Sequence, residues 1–484
     1  MWRGIPYAAP PVGDLRFRAP RPAAPWAGEF DASDFGPVAP QDRTGQFTGP
    51  PVGIPMDEDC LTINVMAPQQ GRALPVMVWI HGGAYSVGSS RELRFQGEAL
   101  AREGVLFVSF NYRLGALGYL DLARFSTPAR PIENNLGLRD QVAALEWVRD
   151  NIAGFGGDPG QVTLFGESAG ANAVTTLLTV PSARGLFARA IAESPPPDAI
   201  YTRPLTAEWG QRYVELLSEV VDNSSTDSTS DEDAGELLTG ARIDDLVAAT
   251  TRLQLMTPDE YPGTIALCPV IDGEFLPERP LSAYAEGRAA PVPLLIGTNA
   301  REGSLFRGRL DILATTPPRI RAIFARTRKR SRKALKAEYP GLPARRPAAD
   351  FGGDYAFWYP TVKVAERHAR FAPVYFYRFD IAPRLLRLAG YDATHGLEMY
   401  ALFDLLDGPF GRMITVLGGR RAFRAAGSRM RGHWLAFARG EAPQGWPQYT
   451  RGKRRTLIID AVDRVEEDPN RHRRIAWQAF VPHV

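Results

Sequence analysis

A strand pattern that runs into a Gly-x-Ser-x-Gly turn, and from there straight into a helix, constrains this chain more than any other feature of its sequence. Val162-Thr163-Leu164-Phe165 suit a buried strand, Gly166-Glu167-Ser168-Ala169-Gly170 follow, and Ala171 to Leu178 has the small-residue pattern of a closely packed helix. A turn this sharp leaves no room for a Cβ beside the neighbouring elements, which accounts for both glycines, and it holds its central residue in strained dihedrals. The Ser168 hydroxyl is thereby expected at the carboxyl edge of a sheet. It would face a helix N-terminus whose unpaired amides and partial positive charge favour an anion. Gly-x-Ser-x-Gly also occurs by chance as a plain Gly-rich turn, and the flanking strand and helix favour the chemical reading.

A second Gly-rich strand end supports it. Leu74 to Ile80 reads as an apolar strand ending in His81-Gly82-Gly83-Ala84-Tyr85. Glycines there let backbone amides approach a ligand closely, as the other half of an oxyanion hole requires. Further strands are expected in the alternating stretch up to Val65, at Val105 to Tyr112, at 186 to 194, from Pro293 to Thr298, at Val374 to Tyr377 and at Thr456 to Ile459. Leu136 to Phe155 has near-helical apolar spacing and leads through Gly156-Gly157-Asp158-Pro159 into the Ser168 strand. Strands interleaved with helices predict an α/β fold with a large, mostly parallel sheet covered on both faces. All 484 residues are assigned to one such domain, with excursions. Residues 1 to 27 read as an irregular, closely packed surface segment, and 36 to 56 as a loop. Residues 222 to 236, without an apolar residue until Ala234, read as a flexible surface insertion. The basic run Arg319 to Lys336 reads as a solvated helical face.

Whole-chain properties exclude other classes. With 57 basic and 54 acidic residues the net charge is +3, so no strong field points to nucleic acid or an anionic membrane as a partner. No run of eighteen apolar residues occurs, so no membrane span is expected. Met1-Trp2-Arg3-Gly4-Ile5-Pro6-Tyr7 lacks the regions of a signal peptide, which points to the cytoplasm, or to secretion if the true start lies upstream. Cys60 and Cys268 are too few for a disulfide framework and read as buried free thiols, with no metal site near either.

A serine hydroxyl needs a base within hydrogen-bond reach, oriented by an acid, and on an α/β-hydrolase sheet these follow in the order Ser, Asp or Glu, His. Of six histidines, His81 precedes the nucleophile. His368 and His433 sit in helical patterns and read as helix-surface residues, and His472 and His483 lie in the charged tail. His395 remains, in a loop before an apolar helix. For the acid, Glu302 stands just past a strand and is preferred. Asp272, followed by Gly273, reads as a turn residue, and Asp392 is too near His395 to come from a separate strand.

On these segments the chain resembles the type-B carboxylesterases, the α/β-hydrolase family that includes cholinesterases and bacterial p-nitrobenzyl esterases. The likeness runs nearly end to end: Gly4-Ile5-Pro6-Tyr7-Ala8, Glu58-Asp59-Cys60-Leu61, His81 to Tyr85, Asn111-Tyr112-Arg113-Leu114-Gly115, Phe155 to Pro159, Gly166 to Gly170, Glu302-Gly303 and His395-Gly396. The resemblance implies Ser168 as nucleophile, His395 as base and Glu302 as acid, with the amides of Gly83, Ala84 and Ala169 as oxyanion donors. Glu167 and Glu398, with Gly82, match positions around these groups, and Arg16 with Glu58 matches a structural ion pair. It further implies hydrolysis of small carboxylic esters through an acyl-enzyme, without metal or organic cofactor, by a monomer or weak homo-oligomer whose gorge is walled by loops within 240 to 290 and 305 to 360. Lipase or amide or carbamate hydrolase activity would use the same machinery. A non-catalytic adhesion-type binding protein is the rival from another class, since the fold has members that lost the nucleophile. Two departures stand out. Almost nothing precedes Gly4, where the family has an N-terminal hairpin. The loop before Cys60 has neither a partner cysteine nor the tryptophan with which cholinesterases bind quaternary ammonium, which argues against choline esters.

Overall fold

A computed structural model describes residues 1–43, 53–92, 96–222, 230–306 and 311–480. Its strands are β1 (Trp2–Pro6), β2 (Thr62–Met66), β3 (Leu74–Ile80), β4 (Leu106–Phe110), β5 (Gly157–Glu167), β6 (Arg189–Glu193), β7 (Tyr201–Thr202), β8 (Val270–Ile271), β9 (Leu294–Asn299), β10 (Val374–Phe379), β11 (Arg455–Ile459) and β12 (Arg464–Glu467). Ten of them form one sheet in the order β1-β2-β4-β3-β5-β6-β9-β10-β11-β12, and β7 with β8 makes a separate pair. From β4 to β11 every pairing is parallel, while the edge pairings β1–β2, β2–β4 and β11–β12 are antiparallel. This is the expected α/β-hydrolase architecture, a large, mostly parallel sheet with helices on its faces.

The sheet is buried on both sides, which the strand sequences require. All of β4 and β9 is inaccessible to solvent. Alternate residues of β3 face opposite cores: Val76, Val78 and Ile80 join Leu164 and Leu177 on one side, Met77 and Trp79 join Ile191, Leu295 and Trp434 on the other. Each large apolar side chain so buried stabilises the fold by about 1.5–3 kcal/mol, which is why near-continuous Val, Ile and Leu runs mark the central strands. β5 lies in the middle of this parallel core, and its register with β3 brings Gly166 opposite Ile80.

Several regions depart from the sequence reading. The N-terminal segment is not wholly irregular, because Trp2–Pro6 pairs with β2 and closes one edge of the sheet. An edge strand tolerates a terminal proline, and burial of Ile5 and Tyr7 anchors it. Within 222 to 236, residues 223–229 lie outside the described residues, and those on either side belong to two helices. Asp222 ends the helix Arg203–Asp222, and Ser230 caps the helix Asp231–Gly240, its Oγ accepting from Asp233 N. Acidic residues in that helix's first turn suit its dipole, and Ala234 is fully buried. The basic run forms two helices, Pro317–Ala325 and Lys329–Ala337. Its first arginine is not solvated: Arg319 is buried, pairing with Asp259 at 2.6 Å and donating to the carbonyl of Leu313. Cys60 and Cys268 are free and buried, as expected. Among the described residues no helix is long and apolar enough to cross a membrane.

Candidate active site

β5 ends at Glu167 and a helix begins at Ala169, so Ser168 alone makes the turn, with φ 58° and ψ −123°. That strained conformation is held from both sides. Ser168 N donates to Glu193 O at 2.9 Å, and Ser168 O accepts from Asn172 N at 2.8 Å to start the helix. The flanking glycines are there because the end of β3 passes close by: a Cβ on Gly170 would sit 2.1 Å from Ile80 O.

Beyond Ile80 the chain makes a second strained turn, with φ at Gly83, Ala84 and Tyr85 of 118°, 53° and 56°. At Gly83 a Cβ would meet Val87 O at 2.0 Å, and at Gly82 it would meet Glu167 O at 2.7 Å. The turn therefore lies directly against the Ser168 elbow. Tyr85 is anchored by stacking on Tyr119 at 3.9 Å. The amides of Gly83, Ala84 and Ala169 find no acceptor among the described residues, and all three residues border the cavity that Ser168 lines. His81 points away from it. Its ring stacks on Tyr112, Nδ1 donates to Gly82 O at 2.9 Å, and burial pulls its pKa down to about 4, so it stays neutral.

On the far side of the cavity, Glu302 opens a single 3₁₀ turn, Glu302–Ser304, just past β9. Its Oε1 accepts from Asn299 N at 2.6 Å, and its Oε2 accepts from His395 Nδ1 at 2.6 Å. The His395 loop is tied to the end of β9 by Arg301, whose amide donates to Ala393 O and whose guanidinium binds Asp350, Asp392 and the Gly390 carbonyl. Asp392 is thus occupied by Arg301 and Arg346. Asp272 holds a turn through the amides of Glu274 and Leu276. Of the three candidate acids, Glu302 is the one bonded to the imidazole.

The imidazole lies against the stacked pair Phe306 and Phe357, with ring centroids 5.1 and 4.5 Å away. Its Nε2 is 3.2 Å from Glu167 Oε1, yet the two are not aligned for a hydrogen bond, and neither atom has a partner. No hydrogen bond joins Ser168 to His395 in this state; the two residues share the walls of one cavity. Burial alone would lower the pKa of His395, but Glu167 and Glu302 outweigh it and push it up to about 9. Burial raises Glu167 to about 7 against the opposing pull of His395, and raises Glu398 to about 8 with help from Glu302 and Glu167. Glu398 is held by Ser194 Oγ at 2.8 Å and by Asn299 Nδ2.

The remaining histidines are placed elsewhere. His368 is not on a helix surface but buried, with Nε2 2.8 Å from Val292 O; its helix packs that face against the sheet. His433 is half-buried beside Trp446, His472 is exposed, and His483 lies outside the described residues. Sequence reasoning missed Glu193, a buried carboxyl that accepts from Trp434 Nε1 at 3.1 Å and is held well above its usual pKa by burial and Glu398. It also missed Asn299, Phe306 and Phe357. Its place at the end of β6, in register with Glu167 on the neighbouring strand, could have flagged Glu193, but nothing local marks the phenylalanines.

The cavity has a volume of about 280 Å³. Its walls draw on the expected stretches through Ile265, Leu267, Leu305, Phe306, Ile312 and Phe357, but also on Leu386, Tyr391, Phe410 and Met413, which the sequence reading did not include. A larger cavity of about 420 Å³ adjoins it at Pro196, Ala199, Ile265 and Ile312 but contains neither Ser168 nor His395. Among the described residues no group of three or more His, Cys, Asp or Glu side chains is arranged to hold a metal ion.

Comparison with known proteins agrees with this picture. The model of the carboxylesterase family matches residues 1–477. The para-nitrobenzyl esterase of Bacillus subtilis (strain 168) is 36% identical over 496 residues, covering 98% of this chain and 94% of that protein. The fumonisin B1 esterase of Sphingopyxis macrogoltabida is 35% identical, covering 93% and 81%. Among solved structures, a PNB esterase superposes with a TM-score of 0.85 at 34% identity, covering 100% of this chain and 96% of that one. A carboxylesterase of Geobacillus stearothermophilus gives 0.81 at 32%, covering 99% and 96%. The chain therefore belongs to the carboxylesterase family and is a carboxylic ester hydrolase.

Proposed function

We propose that the protein cleaves its esters through an acyl-enzyme on Ser168, with His395 as general base and Glu302 orienting it. The observation that carries this reading is the 2.6 Å bond from His395 Nδ1 to Glu302 Oε2, which leaves Nε2, without a hydrogen-bond partner among the described residues, as the acceptor. With its proton fixed on Nδ1, the neutral imidazole takes the Ser168 proton through Nε2 as Oγ attacks the ester carbonyl. The tetrahedral oxyanion is received by the amides of Gly83, Ala84 and Ala169, donors without a competing acceptor among the described residues. Nε2 then returns the proton to the leaving alcohol, and a water activated by the same atom releases the acid. Nε2 must turn from Glu167 toward Oγ for this; catalytic hydrogen bonds are often long before substrate tightens them.

The apolar lining, with Leu267, Leu305, Phe306 and Phe357 around the reacting groups, supports a small ester with an uncharged acyl or alcohol part. The whole chain is read as one domain built on the single large sheet. A fluorophosphonate probe tests the nucleophile: one equivalent should attach to the native protein and none to Ser168→Ala, and labelling of both would remove Ser168 from the mechanism.

A further inference from the structure

The mouth of the catalytic cavity is bordered by two short helices and a loop that expose what a soluble rim normally hides. The helix Arg384–Leu388 buries none of its five residues. Opposite it stand the helix Pro409–Ile414 and the loop that follows, and that loop returns to the first helix, where Gly419 lies against Pro383 and Arg384. Leu386, Phe410 and Met413 from these segments line the cavity itself. Next to them Leu388, Met413, Val416 and Leu417 are 68%, 51%, 69% and 48% exposed. Single exposed aliphatic residues are ordinary, but four on segments that share one cavity rim mark an interaction surface.

The charges on the same segments have one sign. Arg384, Arg387 and Arg412 on them, and Arg421 at the start of the helix Arg420–Ala438 that follows the loop, are exposed and have no acidic partner among the described residues. The acids in reach are already taken: Asp392 by Arg301 and Arg346, Asp404 by Arg424, and Asp407 by Arg420 and Arg424. In a chain with a net charge of only +3, this is a local positive surplus around an apolar centre. That combination suits an anionic lipid surface, where aliphatic side chains enter the headgroup boundary and arginines meet the negative potential. A second copy of the chain fits less well, because a two-fold contact would set the same four arginines against each other.

We propose that this rim is a docking face for an anionic lipid–water interface, holding the cavity mouth against it so that lipid-borne esters pass into the cavity directly. The docking stands on the rim alone, and the delivery of esters rests on the hydrolytic reading above. The test is flotation of the Ser168→Ala protein with phosphatidylglycerol–phosphatidylcholine vesicles and with phosphatidylcholine vesicles. It should bind the first far better than the second, and less as salt rises. Arg384→Gln with Arg387→Gln should weaken binding roughly 25-fold, about fivefold per arginine. Leu388→Ser with Val416→Ser should also weaken it. Placed in the chain with Ser168 intact, both pairs should keep turnover of soluble p-nitrophenyl acetate within about twofold, which shows that they fold. Absence of binding to anionic vesicles, binding unaltered by both pairs, or a concentration-dependent dimer abolished by them without vesicle binding would each overturn the proposal. Vesicle binding by a native protein that fluorophosphonate does not label would instead sink the hydrolytic reading and leave the docking face standing.

Discussion

Two buried ion pairs lie on this sheet, and they are finished differently. Arg113 and Asp140 are 3% and 0% exposed in their side chains. Asp140 accepts from Arg113 Nε, Nη2 and the Arg113 amide, and Nη1 donates to Arg18 O. Every strong donor and acceptor there is used. His395 and Glu302 are almost as buried, at 6% and 2%, but beside them His395 Nε2, Glu167 Oε1, Glu193 Oε2 and Asn299 Oδ1 have no partner. An unpaired buried polar atom costs about 1–3 kcal/mol, and four are gathered around this pair. The first pair locks the loop after β4 to a helix. The second holds spare hydrogen-bonding capacity at the edge of a cavity.

The comparison can be broken or sharpened by substitution. Ser168→Ala should lower kcat/KM for p-nitrophenyl acetate by about 10⁴–10⁶ with the melting temperature unchanged; near-native turnover would show that the spare capacity serves something other than this hydroxyl. Glu302→Gln should cost about 10³–10⁴ in kcat, because the imidazole loses the acceptor that fixes its tautomer, and urea denaturation should show little loss of stability. Asp140→Ala should do the reverse, destabilising by about 3–5 kcal/mol as it strands a buried guanidinium, while protein that stays folded keeps its kcat. If instead Glu302→Gln unfolded the protein and Asp140→Ala abolished turnover, the assignment of roles would be inverted.

The smallest effect concerns pH. His395 must be neutral to act as base, and its pKa stands above the ordinary 6.5, near 9, so kcat/KM should fall as pH drops through that region. Glu167→Gln removes one of the three carboxylates responsible, Glu167, Glu302 and Glu398, and should move the acidic limb of the profile down by about 1 unit; an unmoved limb would mean that Glu167 does not act on the imidazole. The linkage to stability has the opposite slope. A group whose pKa rises on folding contributes stability that is complete below its unfolded value and is lost as pH climbs through about 9, so the substitution should diminish that loss.

Much of the site was legible because it is written in contiguous residues. The elbow needs a strand, two glycines around Ser168 and a helix, all within Val162 to Leu178, and the structure forms them there. The Gly83 turn is local in the same sense. Glu302 could be picked out because it follows an apolar strand directly. His368 was misjudged since a helical pattern alone does not say which face meets the sheet, and Trp2–Pro6 was missed since five residues with glycine and proline carry almost no strand signal until β2 offers its edge.

The sequence by itself determined the parallel sheet, the two strained turns at its carboxyl edge and the candidate side chains, because apolar periodicity and glycine placement act over a few residues and need no distant partner. Only the tertiary structure decided that His395 meets Glu302, that Glu193 and Glu398 are buried beside them, and that Leu386, Phe410 and Met413 close the cavity. Those meetings depend on where Arg301 ties one loop to another strand's end, on Trp434 arriving over Glu193, and on the sum of many weak packing contacts between segments far apart along the chain, none of which any one segment encodes.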